Sequence, residues 1–92
     1  MKPNILFLVI DSLRQDKCYG KEKTSITPNL DFLINNGVFF SQAISPASIT
    51  IPSLSSIFSG LYSYECTTLD HDLFNLNSDI HTFIDDFNDS GY

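Results

Sequence analysis

The sequence predicts an α/β fold, and three observations carry that prediction. Ile5 to Ile10 is an unbroken apolar run of branched and aromatic side chains, the pattern of a strand covered on both faces. Two later segments, 27–37 and 50–60, each open on Thr with a Pro close behind and close on Gly, the punctuation of a capped helix. A third segment places Ile80, Phe83, Ile84 and Phe87 at i, i+3, i+4 and i+7, one face of a helix.

Taken in order, the elements justify themselves. Pro3-Asn4 and Asp11-Ser12 bound the first strand. Residues 11–26 are polar, carry Gly20, and read as a loop with room for a short helical turn. Thr27 caps the first helix, Pro28 holds its first position, Leu30, Leu33 and Ile34 form its stripe, and Gly37 takes the left-handed position after it. Val38 to Ala43 reads as a second short strand. Thr50 caps the next helix, Pro52 lies in its first turn, Leu54, Ile57 and Phe58 form its buried face, and Gly60 ends it. Tyr62 to Asn77 reads as a polar loop with scattered aromatics. Ser78 caps the last helix, Asp79 sits in its first turn, and Gly91 is its C-cap. Strand, helix, strand, helix, helix is the order of a mostly parallel sheet with crossover helices. The last helix should lead back to the sheet, so residues 1–92 read as a truncated, amino-terminal part of a larger α/β domain.

Composition narrows the function. The chain has 92 residues, 5 basic and 11 acidic, with a net charge of −6, enough for one domain and a small core. All the bases (Lys2, Arg14, Lys17, Lys21 and Lys23) lie at the start, and from Thr24 onward there are eight acids and no base. A nucleic-acid partner needs a cationic face, so it is set aside. No apolar run has the length of a membrane span or the form of a signal peptide, and a cytoplasmic location is favoured. Cys18 and Cys66 match no zinc spacing and read as reduced thiols.

Two residues point to chemistry. Asp11 stands directly after the first strand, and in open α/β sheets ligands bind beyond the carboxyl ends of strands, where a carboxylate holds a divalent cation. The plain alternative is a turn aspartate. Thr50 stands at a helix N-terminus, where backbone N–H groups favour a sulfate or phosphate and a hydroxyl could attack it. The plain alternative is an ordinary cap. His71 and His81 lie at no metal spacing, and Asp70 and Asp72 read as a solvated acidic loop.

Together the blocks PNILFLVIDSLRQDKCYG (3–20), TPNLDFLINNGVFFSQA (27–43) and TIPSLSSIFSGLY (50–62) resemble the amino-terminal part of the sulfatase family, within the alkaline phosphatase superfamily. The resemblance implies metal-dependent cleavage of sulfate or phosphate esters. It implies Asp11 as first metal ligand, with Ser12 where the family commonly has a second Asp. It implies Thr50 as nucleophile and metal contact together. Arg14, in the family's Asp-x-Leu-Arg pattern, could approach the substrate anion, or simply support the surface. The implied cation is Ca²⁺, with Zn²⁺, Mn²⁺ or Mg²⁺ as alternatives. Family members carry Cys or Ser at the Thr50 position and convert it to formylglycine. Thr50 cannot become that aldehyde, so no formylglycine is expected, and Leu54 replaces the motif's Arg. Threonine nucleophiles occur in related phosphoethanolamine and glycerophosphate transferases, which makes transfer an alternative to hydrolysis. The family's other metal ligands lie further along, so residues 1–92 alone are expected to be inactive, and a non-catalytic fragment or relic is a further alternative. A receiver-like signalling module would want a Lys after Lys23, and none follows.

Overall fold

The computed structural model describes residues 2–92, which divide into two compact units, one reaching to Gln42 and the other spanning Ala43–Tyr92.

The first unit holds two helices, α1 (Gln15–Cys18) and α2 (Pro28–Asn36). Residues 5–10 form no strand, and their side chains are exposed, Leu6 to 87%. Val38 to Ala43 is irregular too. Both expected strands are therefore corrected. A strand exists through its ladder, and the one ladder among the described residues pairs two other segments. Apolar character alone supplies no backbone partner.

The 11–26 loop does contain a helical turn, α1, which buries Cys18. Tyr19 follows it and packs on Phe39 with ring centroids 4.3 Å apart. Gly20, at φ 88, reverses the chain so that Thr24 and Ser25 donate to the Lys17 carbonyl at 3.2 and 3.0 Å. Lys23 Nζ then reaches Asp31 Oδ2 at 2.6 Å, tying the loop to α2. Thr27 precedes α2 as expected, but its hydroxyl donates to the Asp31 carboxylate at 3.3 Å rather than capping the backbone. Gly37 ends α2 at φ −122, an extended conformation, so the left-handed reading of that glycine is corrected. Leu30 and Ile34 are half-buried, whereas Leu33 is exposed.

The second unit contains α3 (Thr50–Ser59), α4 (Ser63–Cys66), β1 (Thr67–Asp70), β2 (Leu73–Leu76) and α5 (Phe83–Asp89). Gly60 ends α3 in the left-handed region at φ 72, as its sequence predicts. The buried face of α3 differs from the expected one. Pro52, Ser55 and Ser56 are buried, Leu54 and Phe58 are half-buried, and Ile57 is exposed. Small residues let α4 approach closely, and their hydroxyls are satisfied locally. Ser56 donates to the Pro52 carbonyl at 3.1 Å, and Ser59 to that of Ser55 at 2.7 Å. Cys66, at the end of α4, is completely buried.

Residues 62–77, expected as a loop, instead fold into α4 and a hairpin. β1 and β2 pair antiparallel, with Thr67 opposite Leu76 and Asp70 opposite Leu73. His71 and Asp72, at φ 46 and 63, form the two-residue turn whose twist suits a hairpin. The sheet is thus antiparallel, and a parallel sheet is absent among the described residues.

The last helix begins at Phe83, not after Ser78. Asn77 closes a separate turn, accepting from Asp79 N through Oδ1 at 3.0 Å and from Ile80 N at 3.1 Å through its carbonyl. Thr82 is the true N-cap, and Asp85 reaches back to its N–H at 2.7 Å and its hydroxyl at 2.8 Å. Asp79 lies before the helix. Ser90 is the C-cap, and Gly91 follows at φ 77. α5 packs on α3 through Phe83 and Phe58, whose centroids are 5.5 Å apart. Among the described residues no helix is long and apolar enough to cross a membrane.

Candidate functional site

Asp11, Ser12 and Arg14 belong to the first unit and Thr50 to the second. Asp11 and Ser12 form an exposed turn directly after the apolar run, with Ser12 in the left-handed region at φ 58. A non-glycine residue there is uncommon, and it marks a sharp change of direction at the acidic side chain. Arg14 closes a fork on Asp16, with Nε to Oδ1 at 3.1 Å and Nη2 to Oδ2 at 2.8 Å. That hydrogen-bonded pairing raises the Arg14 pKa and holds the Asp16 carboxyl below the usual range. Arg14 thus spends its planar fork within its own unit, on a carboxylate two residues away.

Thr50, expected as the cap, is instead the first helical residue of α3, and the N-cap is Ile49. It is exposed. The first turn of a helix presents the backbone N–H groups that lack an intrahelical carbonyl, and the dipole adds partial positive charge there. Pro52 contributes no N–H, so the donor set of this turn is narrower than in most helices. Two serines brace the approach. Ser45 Oγ lies 2.8 Å from Ser53 Oγ and donates to the Ala47 carbonyl at 2.7 Å. Ser53 belongs to the Thr-x-Pro-Ser pattern of the sequence, but its meeting with Ser45 depends on loop geometry rather than on a period. A pocket of about 280 Å³ adjoins the same turn, with Ser48, Ile49, Pro52, Ser63, Tyr64 and Phe74 in its walls.

The histidines stand apart from these residues in sequence. His71 occupies the hairpin turn, 3.6 Å from Asp70. His81 precedes the cap of α5 and contacts Asp86 at 2.8 Å. Cys18 and Cys66 are free, buried thiols.

The sulfatase family profile matches residues 3–92. This chain belongs to the sulfatase family. Its relatives include an ulvan-active sulfatase of Formosa agariphila, 42% identical over 65 residues, which cover 66% of this chain and 12% of that protein. Human arylsulfatase H is 38% identical over 63 residues, 66% of this chain and 11% of the relative. An N-acetylglucosamine-6-O-sulfatase of Bacteroides thetaiotaomicron is 30% identical over 93 residues, 99% of this chain and 16% of the relative. The chain therefore spans less than a fifth of the length of these sulfatases. No solved structure matches it.

Sulfatases have an α/β fold and typically use a divalent cation. The oxygen donors expected for such an ion are, in the first unit, the Asp11 carboxylate and the Ser12 hydroxyl and, in the second, the Thr50 hydroxyl. Hard oxygen donors suit Ca²⁺, but that ion takes about six to eight of them. Among the described residues no three His, Cys, Asp or Glu side chains converge as a ligand set. The oxygen donors of either unit suit a hard cation in type, and in number they fall short of its shell.

Proposed function

We propose that residues 1–92 supply the first part of the catalytic domain of a sulfatase that hydrolyses sulfate esters. The observation that carries this is the family match over residues 3–92, which spans both the Asp11 turn and the start of α3. The names of relatives, an ulvan-active sulfatase and sulfatases of N-acetylgalactosamine and N-acetylglucosamine, suggest a carbohydrate sulfate as the substrate class for the parent protein.

In this reading the sulfate group lies at the first turn of α3, where N–H groups and the dipole suit an anion. Thr50 Oγ bonds to sulfur as the bond from sulfur to the ester oxygen breaks, the hydroxyl proton leaving with the alcohol; water then attacks the sulfated threonine, releasing sulfate and restoring the hydroxyl. Threonine is a weak nucleophile at neutral pH, so ionising it is a task for groups beyond this chain's own. Asp11, with Ser12, contributes to a cation shell completed elsewhere in the parent, with Ca²⁺ as the proposed ion. Residues 1–92 alone are inactive for the same reason.

Thr50 also favours a second reading, transfer or hydrolysis of a phosphate ester, since it cannot form the aldehyde of formylglycine-bearing sulfatases. Turnover of an aryl sulfate and an aryl phosphate by the parent, with and without Ca²⁺, tests both. Sulfate cleavage that needs the cation and weakens in Asp11→Asn supports the proposal. Activity indifferent to both the cation and Asp11 contradicts it. Preference for the phosphate selects the second reading.

A further inference from the structure

The His81 ring sits among acids at the start of α5. Its Nε2 lies 2.8 Å from Asp86 Oδ1, and its Nδ1 lies 4.0 Å from Asp85 Oδ2. Asp85 also accepts from both the N–H and the hydroxyl of Thr82, the cap of the same helix. The ring thus clips the residue before the cap to the first turn. Phe83, in that turn, rests on Phe58 of α3.

We propose that His81 is a proton-operated lock on the first turn of α5, the helix that braces α3. The protonated ring donates from Nε2 to Asp86, and its charge offsets the carboxylates of Asp86 and Asp85. The neutral ring keeps one hydrogen bond and loses the ion pairing.

A cation at a helix N-terminus is opposed by the helix dipole, about half a charge spread over the turn. Here full carboxylate charges at contact distance outweigh it. The hydrogen bond and charge of Asp86 raise the His81 pKa above its ordinary 6.5, and the charges of Asp85 and Asp89 add to the rise. The acids of α5 itself are the charged groups facing the ring. α3, packed against α5, has no Asp, Glu, His, Lys or Arg from Thr50 to Ser59. Because the folded pKa is raised, the lock is fully present below the ordinary histidine pKa and is lost as pH rises through the folded value.

The test follows the His81 ring protons and the backbone shifts of Phe83 to Asp86 by NMR on the 92-residue chain, from pH 5 to 9. The wild type should show a midpoint above that of free histidine. Helical shifts at 83–86 and the Phe83–Phe58 ring contact should weaken through that same midpoint. Asp86→Asn should lower the midpoint, and His81→Gln should remove the pH dependence of α5. A midpoint at or below that of free histidine, or α5 signals that stay constant across the His81 titration, overturns the proposal. The wild-type titration decides even if a variant fails to fold.

Discussion

Phe83 of α5 meets Phe58 of α3 at 5.5 Å between ring centroids, so the helix that opens with Thr50 is held from behind by an aromatic contact near its other end. Phe58 sits two residues before Gly60, and Phe83 also packs on Phe87 at 5.5 Å. α3 is thus held along its length by α4 and β2, and near its end by this small aromatic cluster with α5. Phe83→Ala in the 92-residue chain should lower stability by about 1–2 kcal/mol, since the ring is half-buried and makes aromatic contacts. Urea unfolding followed by circular dichroism measures this, and an unchanged midpoint would remove α5 from the support of α3.

Gly60 and Gly37 end helices in different ways. Gly60, at φ 72, has nothing within 4 Å of an added Cβ, so Gly60→Ala pays only the left-handed backbone penalty, about 1 kcal/mol. Gly60→Asn should cost less, because Asn tolerates that region. Gly37 is extended, and there an added Cβ would meet the Leu33 carbonyl oxygen at 3.0 Å. Asn should therefore bring no advantage over Ala at 37. Melting curves of the four variants check the contrast.

The α5 cap should be sensitive to acid. Hydrogen bonds from Thr82 hold the Asp85 carboxyl below its ordinary value of 3.8. A lowered folded pKa means that this contribution is present above the ordinary value and is lost as pH falls through the folded one. Helical signals of α5 should thus weaken at the acid end of a titration, and Asp85→Asn should weaken them already at neutral pH. Equal signals in wild type and variant at pH 7 would contradict the cap.

Both thiols should be protected by the fold. Cys66 is 0% exposed and Cys18 is 7% exposed. A thiol reagent should label both slowly in buffer and quickly in denaturant, with Cys66 the slower. Rapid labelling of Cys66 in buffer would contradict the packing of α4 against α3.

The helices were more legible in the sequence than the strands, for a physical reason. Helix hydrogen bonds close within four residues, so Pro28, Gly60 and the Phe83, Ile84 and Phe87 part of the expected stripe carry local information, while Ile80 falls in the turn before the helix. Even so, the last helix starts at Phe83, capped by Thr82, because Asn77 captures the turn that Ser78 was expected to cap. Strands need partners at a distance, and residues 5–10 form no ladder among the described residues despite their apolar run. The hairpin was missed because His71 and Asp72 take left-handed angles without the glycine that advertises such turns. At the candidate site, the Asp-x-x-Arg and Thr-x-Pro-Ser patterns were readable because they are contiguous. The Ser45–Ser53 contact beside Thr50 was not, since it joins a loop to a helix.

The measurement closest to the central claim is aryl sulfate turnover by the parent protein and its Thr50→Ala variant, side by side, with circular dichroism confirming the fold. If Thr50 is the attacking group, the variant should lose turnover by roughly a thousandfold or more while keeping its structure. Turnover retained in Thr50→Ala would contradict the assignment of Thr50.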